Sequence, residues 1–489
     1  MRFLGQLKGV NPFQGDIVPS RVKLLRAGQP CFPIPHPGNY REPLRILDTY
    51  FWNLDAEVGS AKHNRFISIP GLPYVLVTRE PSVIKAILSD SGDKPGQFDR
   101  DTSPAEGIAR ATGEDSLLYA NRALWRRQKK VAASPFTRSA LFQPEQFREF
   151  ENTFRVTVSE RLERFRQLQL ERGEKVTRLE IEPEVQVVML EMLVTNFFGG
   201  QVEYSDLRER FVPAIVRLID YMVSDTVVPR SRNILRYYGK RGEALKRDKE
   251  TLFELTEIAL SGRKDGLGLW RKFQSDAPNE MLRSNVRVFL AGALEATTSF
   301  ATWALSHLAG APEVQEEIFQ EVKDLECYTP ENLEQARVLN AVLEETLRLT
   351  PSLYFLPRRS IEDRWIETDD GRRMLIPEGT HVVLDVWHAN RCEEFWGVDV
   401  SGYPAEQFAP RRWEHLSAQG KRLKETLHFG FGYGPRVCPG KFLGLLEVGL
   451  VVGAFVKLFK FRAVHSEIKA RAGVSTKPAD GVLVDLELR

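Results

Sequence analysis

A mainly α-helical fold carrying small β-sheets is what this 489-residue sequence predicts, and three observations carry the expectation. A proline-free helical pattern runs from about Leu282 to Leu308 and closes on Gly310 and Pro312. A strongly apolar run from Leu443 to Phe459, relieved by Glu447 and Lys457, reads as a buried helix rather than a membrane span. Strand signals are brief by comparison. Arg65-Phe-Ile-Ser-Ile-Pro-Gly-Leu-Pro-Tyr-Val-Leu-Val-Thr78 gives two short strands about a Pro-Gly turn.

Length leaves room for one large domain or two to three smaller ones. With 42% apolar and 27% charged residues the chain is an ordinary globular protein, and a net charge of +2 argues against a dedicated nucleic-acid binder. The cysteines, Cys31, Cys327, Cys392 and Cys438, form no C-x-x-C pair and suggest a reducing compartment. The opening Met1-Arg-Phe-Leu-Gly-Gln-Leu-Lys-Gly is too short and polar for a signal peptide or anchor. A soluble, cytoplasmic monomer is expected, with residues 1–64 forming an N-terminal arm and first helix of a single 1–489 domain.

Taken in order, Pro33-Ile-Pro-His-Pro-Gly38 is a stiff arm, and after the two strands Pro81 opens a helix continuing to Leu88. From Gln97 to Leu118 the glycines and Pro104 predict a loop that could roof a pocket. A basic helix with Trp125-Arg-Arg-Gln-Lys-Lys130 ends before Pro135. Amphipathic helices follow over Phe147–Gln169 and Glu182–Phe198, then a charged pair flanks Val227-Val-Pro-Arg-Ser-Arg232. The long helix then carries a polar notch, Ala291-Gly-Ala-Leu-Glu-Ala-Thr-Thr-Ser299, where small residues let a flat ligand approach and an acid beside hydroxyls can relay protons.

The chemistry centres on Phe431-Gly-Tyr-Gly-Pro-Arg-Val-Cys-Pro-Gly440. Its glycines and prolines rule out a regular helix or strand and fix a tight loop around one soft ligand, Cys438. Backbone N–H groups and the positive end of the next helix favour its thiolate. Arg436 supplies a cation, and Phe431 an aromatic face. A planar, anionic, iron-bearing group suits all of these, which points to haem b with cysteine as axial ligand.

The pattern F-x-x-G-x-R-x-C-x-G resembles the haem-ligand loop of the cytochrome P-450 monooxygenases, and further matches keep one order along residues 65 to 450. The resemblance implies the fold of that family, with the long central helix over a haem. The helix with Trp125 and Lys129 is similar to the family's W-x-x-x-R, with lysine in the arginine place, and implies a propionate contact. Lysine keeps the charge and loses the bidentate fork. The notch resembles A-G-x-[D/E]-T-T, but in a shifted register. If Glu295 takes the acid place, Ala296 falls on the threonine. If Thr297 takes the threonine place, Ala296 displaces the acid. A local widening of the helix would reconcile them. Gly292 would let the haem lie close.

Glu345-Thr-Leu-Arg348 puts an acid and a guanidinium on one helix face, and with Arg412 of Phe408-Ala-Pro-Arg-Arg-Trp413 it resembles the family's buried ion network, whose implied role is to brace the ligand loop. Pro351-Ser-Leu-Tyr-Phe-Leu-Pro-Arg358 resembles the strand that lines the substrate cavity. It offers Leu353, Tyr354, Phe355 and Leu356 as pocket walls and Arg358 for the second propionate. Asn390 to Gly397 echoes a family loop loosely, and 211–238 falls where the family covers its substrate. Arg126, Arg127, Lys130, Lys421, Arg422, Lys424 and Lys441 suit an acidic electron donor, a ferredoxin or a flavodoxin or flavoprotein reductase.

The expected activity is insertion of one oxygen atom of O2 into a lipophilic small molecule, with Cys438 as iron ligand and Glu295 and Thr297 delivering protons. Lys129, Trp125, Arg358 and Arg436 are expected to hold the propionates. A peroxide-using or isomerising haem-thiolate enzyme, and a haem-thiolate ligand sensor, are the alternatives.

Overall fold

The computed structural model describes residues 63–67, 73–92, 98–102, 109, 111–113, 115–227, 239–261, 279–418, 420–421 and 429–489. Apart from its last two residues, the arm expected over 1–64 lies outside them, as do residues 228–238, Arg422 and Lys424.

The strand pair appears as β1 (Asn64–Ile67) and β2 (Val75–Thr78), with α1 (Pro81–Ser89) opening on its proline. One expectation is corrected at once: inside the stretch read as loop, β3 (Phe98–Arg100) forms a strand. Glycines on either side hid three residues that find a partner about 260 positions away, as the register Phe98↔Ser360 to Arg100↔Arg358 shows. That strand sets Arg100 beside Arg358.

Helices α2 (Arg122–Ala132), α3 (Pro144–Phe154), α4 (Glu160–Arg172) and α5 (Glu182–Glu191) follow, with β4 (Val176–Glu180) between the last two. The two amphipathic runs read as single helices each contain a wider π turn, at Arg155–Ser159 and Met192–Phe197. Then come α6 (Val212–Val227), α7 (Gly239–Ser261), and the long helix in two α-helical parts, α8 (Asn279–Gly292) and α9 (Thr298–Ala309). Between those parts Ala293–Thr297 is a π turn, the widening that the register of the notch called for. By length and composition the rod Glu280–Ala309 is apolar enough to cross a membrane, yet 67% of its most apolar window is buried inside the fold, as befits a core helix.

Helices α10 (Pro312–Val322) and α11 (Arg337–Leu349) lead into β5 (Phe355–Ser360), the β6 (Arg364–Glu367) and β7 (Arg373–Ile376) hairpin, and β8 (His381–Asp385). After the cysteine loop, α12 (Lys441–Leu458) runs into β9 (Phe459–Ala463), a small hairpin of β10 (Ala470–Ala472) and β11 (Thr476–Pro478), and β12 (Leu483–Leu488). The main sheet has order β1-β2-β8-β5-β3, with only β2 and β8 parallel; β4-β12-β9 form a second, antiparallel sheet.

Two apolar clusters result, one among the helices and one around the main sheet and α1. The cysteine loop joins them: Phe431 packs on the helical cluster and Tyr433, two residues later, on the sheet cluster. Burial keeps the His307 imidazole neutral, pushing its pKa down to about 3, and the ring lies between Trp303 and Phe408 with its Nε2 3.0 Å from Thr350 Oγ1.

Helix α12 is close-packed where it lacks side chains. A Cβ on Gly453 would stand 2.8 Å from the Tyr328 hydroxyl. On the same helix the Glu447 carboxyl is buried with Oε1 unpartnered, and burial raises its pKa to about 8. A folded-state value above the unfolded 4.5 stabilises the fold fully below about pH 4.5, and that contribution is lost progressively as pH climbs to about 8, beyond which nothing of it remains. Glu447→Gln is therefore expected to fold normally and to lose this decline, so wild-type and variant unfolding midpoints should diverge steadily from about pH 5 to about pH 8 and run parallel at about pH 9.

Candidate functional site

The loop at Cys438 is shaped by backbone that only glycine tolerates. Gly432 and Gly434 take φ of +75° and +70°, and a Cβ on Gly434 would come within 2.5 Å of the Leu88 carbonyl oxygen on α1. The Cys438 N–H donates to the Phe431 carbonyl at 2.8 Å and closes the loop on itself. Its thiol has open surface but protein surrounds it at longer range, so the sulfur faces a chamber within the fold. Burial pushes the thiol pKa up, while the Gly440 N–H and the nearby Arg100 charge pull it down.

Three guanidinia gather on that side of the chamber. Arg436 Nη2 donates to the Ala120 carbonyl at 2.9 Å and Asn121 Oδ1 at 2.7 Å, and the group lies 4.7 Å over the Trp125 ring. Arg358 Nε donates to Ser91 Oγ at 2.8 Å. Arg100 has a buried Nε without a partner, and Arg436 has two such atoms, Nε and Nη1. Burial first, then the other two arginines, drives the Arg358 pKa well down; burial and Arg100 bring Arg436 to about 9. Among the described residues no carboxylate hydrogen-bonds any of the three. Asp99, whose charge acts on Arg436, pairs with Arg122 at 3.1 Å, and Arg122 itself holds a strained φ of +53°.

Buried cations without counter-anions are stable only if an anion joins them. A flat group with two carboxylates, iron-ligated by the thiolate, meets that demand. A Cβ on Gly292 would meet nothing within 4 Å, so the oxygen-side helix leaves the room such a group needs. The residues present fit haem.

The predicted site residues divide accordingly. Arg436, Arg358 and Trp125 come together with Cys438 as expected. Lys129 also touches the loop: it is exposed, donates to the Pro435 carbonyl at 3.0 Å and lies 5.0 Å over Trp125. Arg100, which the loop reading passed over, pairs in register with Arg358. Phe431 meets Phe300 of α9 edge to face at 6.3 Å, which brings the long helix against the loop. Leu353 is exposed and Tyr354 and Phe355 half-buried, whereas Leu356 belongs to the sheet core and is not open wall.

The notch departs most from expectation. Glu295 Oε1 accepts from Lys477 Nζ at 3.0 Å and Oε2 from Ser475 Oγ at 2.8 Å, both from the β10–β11 hairpin region. Thr297 Oγ1 donates to the Ala293 carbonyl. Widening frees backbone carbonyls, and side chains take them: Ser352 Oγ donates to Ala296 O at 3.0 Å and Ser475 Oγ to Glu295 O at 3.2 Å. Lys477 lies 3.9 Å from Glu182, which also accepts from Arg471. Neither Ser475 nor Lys477 had a sequence signal beyond a polar residue in a terminal hairpin.

Glu345, Arg348 and Arg412 form the predicted network, all fully buried. Arg348 binds both oxygens of Glu345, at 2.9 and 2.8 Å, and Arg412 Nε donates to Oε1 at 3.1 Å. Their other N–H groups reach carbonyls of Asn390, Trp396, Tyr403, Pro404, Ala405 and Gln407. On the same helix, a Cβ on Gly430 would stand 2.9 Å from Leu347 Cβ, so α11 presses directly on the cysteine loop.

Comparison with known proteins agrees with this geometry. The family model described as Cytochrome P450 matches residues 69–479. A cytokinin hydroxylase of Arabidopsis thaliana is 27% identical over 448 residues, covering 86% of this chain and 80% of the relative. An 11-oxo-beta-amyrin 30-oxidase of Medicago truncatula is 27% identical over 50% of this chain and 46% of its own length. Cytochrome P450 71A20 of Arabidopsis thaliana is 32% identical over 44% of this chain and 41% of its own.

Two losses are expected. Glu345→Gln removes the charge that both buried arginines share, and should destabilise the fold by about 3 kcal/mol or more, read by denaturant unfolding, with poor haem retention on purification. Arg100→Met should leave the fold intact and weaken haem binding, measured as faster haem transfer to an acceptor protein, whereas Lys129→Met should change that rate far less.

Proposed function

The chain belongs to the cytochrome P450 family, a haem-thiolate monooxygenase, and from that premise we propose that it hydroxylates a lipophilic small molecule with electrons from a separate, acid-faced redox protein. The open apolar side chains Leu353, Tyr354 and Phe355 support the substrate class. Exposed Arg126, Arg127, Lys130 and Lys421 support the donor class, a ferredoxin, flavodoxin or flavoprotein reductase. We read the chain as one domain acting in the cytoplasm as a monomer.

When bound, the haem supplies activation of O2, one atom going to substrate and the other leaving as water. The protein's part is assigned as follows. Cys438 would bind the haem iron through its thiolate, which its tight loop, the Gly440 N–H and the Arg100 charge favour. Arg100, Arg358 and Arg436 would hold the propionates, with Trp125 against Arg436. Phe431 orients the loop through its edge contact with Phe300, and Gly292 keeps the opposite wall clear. Glu345, Arg348 and Arg412 brace the loop and take no part in the chemistry.

Proton delivery falls to the notch. Glu295 is tethered to Lys477 and Ser475, and Thr297 two residues on turns its hydroxyl to Ala293. Protons reach the oxygen side through the Glu295 carboxylate and its Ser475 hydroxyl neighbour, Thr297 assisting. The cytokinin hydroxylase and the 11-oxo-beta-amyrin 30-oxidase act, by their names, on a cytokinin and on 11-oxo-beta-amyrin, and such molecules are the first to screen.

The observation that carries this reading is the cluster of Arg100, Arg358 and Arg436, short of acceptors, beside the cysteine loop. Its test is spectroscopic: the reduced protein under carbon monoxide should show the red-shifted Soret band of thiolate ligation, and Cys438→Ala should abolish it. An unchanged band in that variant overturns the assignment of the ligand. Glu295→Gln is expected to lower product formation about a hundredfold with NAD(P)H and a redox partner, yet spare turnover driven by added peroxide, which brings its own protons. Equal losses in both assays would remove Glu295 from proton delivery.

A further inference from the structure

We propose that the protein carries a second metal site, a zinc-type divalent cation site formed by His63 Nε2, Cys392 Sγ and the Glu394 carboxylate. These ligand atoms lie within 4.8 Å of one another, and His63 Nε2 is already 3.3 Å from Glu394 Oε2. Tetrahedral zinc, with bonds of about 2.0 Å to nitrogen and oxygen and about 2.3 Å to sulfur, needs ligands roughly 3.3 to 3.7 Å apart. Small side-chain rotations close the difference.

The donor set selects the ion. One thiolate, one carboxylate and one neutral imidazole cancel a double positive charge. A sulfur and a nitrogen among the ligands suit zinc and its borderline neighbours and disfavour calcium and magnesium, which take oxygen. Three protein ligands leave one position for water.

The backbone under each ligand is fixed beforehand. The His63 carbonyl accepts from the Arg79 N–H at 2.8 Å, and its ring rests against Phe395 with centroids 5.1 Å apart. The Cys392 carbonyl accepts from the N–H groups of Phe395 at 3.1 Å and Trp396 at 2.9 Å. As a part-exposed ion pair the His–Glu contact contributes little. As two of three ligands it would join chain segments 331 positions apart.

The site also has a structural consequence within reach. Cys392 and Glu394 fall between Asn390 and Trp396, whose carbonyls accept from Arg348 and Arg412. A cation there would stiffen the segment on which the buried network rests, and it uses no residue of the thiolate loop. This inference does not depend on substrate, redox partner or proton route.

The test uses the haem-loaded full chain, in which Cys438 is committed to iron, freed of loose metal with a chelator. It is equilibrated with micromolar zinc, and zinc and iron are counted by mass spectrometry. One zinc per iron is expected, with a raised unfolding midpoint. Cys392→Ser and His63→Asn should each weaken zinc binding at least about tenfold and cancel the midpoint shift, while Cys327→Ser keeps both. Because Cys392 also packs on the sheet core, His63→Asn decides where the serine variant loses its haem. Absence of zinc uptake by the wild type, or full uptake by folded His63→Asn, overturns the proposal.

Discussion

A single buried carboxylate, Glu345, holds two guanidinia, and much of the thiolate side of the molecule hangs from that trio. Moving such charges out of water is costly, and the cost is offset only where every donor and acceptor finds a partner. Here the condition is met with backbone carbonyls of the 390–407 segment, a stretch with little regular secondary structure of its own. Side-chain donors thus do for this segment what a ladder does for a sheet. Helix α11, fixed at one end by the trio, bears through Leu347 on Gly430, and rigidity passes from the ion network to the loop that presents Cys438.

The trio is charge-unbalanced toward the positive, and so is the chamber wall. Arg100, Arg358 and Arg436 repel one another and are short of acceptors among the described residues. In an apolar protein interior this arrangement favours whatever brings negative charge, first a thiolate and then a dianionic group beside it. Burial alone would keep Cys438 protonated; the Arg100 cation and the Gly440 N–H act in the other direction. Arg100 therefore belongs to both settings, favouring the thiolate of Cys438 and adding to the positive charge around Arg358 and Arg436.

What the sequence made legible follows from how local the signals are. Cys438 stood out because positive-φ glycines, prolines and a cation crowd ten residues, and Glu345 with Arg348 because a helix places positions three apart on one face. The long helix and its widening were legible from a register that no regular helix reconciles, and the π turn at Ala293–Thr297 is that reconciliation. Arg100 was hidden since its strand is only three residues long and exists through pairing with β5, far along the chain. Ser475 and Lys477 were hidden for the same reason: a polar residue in a hairpin says nothing of the carboxylate it will meet 180 positions earlier. For Lys129, helix periodicity gives a face and not the contact it makes, which is with the Pro435 carbonyl of the cysteine loop.

The two ion networks differ in a way that matters for motion. Around Glu345 one carboxylate serves two arginines, each also tied to several carbonyls, so no partner can leave without stranding a buried charge. Around Glu295 the signs alternate, Glu295 to Lys477 to Glu182 to Arg471, and Lys477 stands 3.0 Å from one acid and 3.9 Å from the other. A cation between two carboxylates can shift its hydrogen bond without ever being unpaired, at a small fraction of the cost of breaking an isolated pair. Such a shift would leave Glu295 held by Ser475 alone, at 2.8 Å, while the β10–β11 hairpin stays anchored through Ser299, whose hydroxyl donates to the Thr476 carbonyl at 2.6 Å. One carboxylate with two arginines thus braces the cysteine loop, while alternating charges line the polar notch of the long helix.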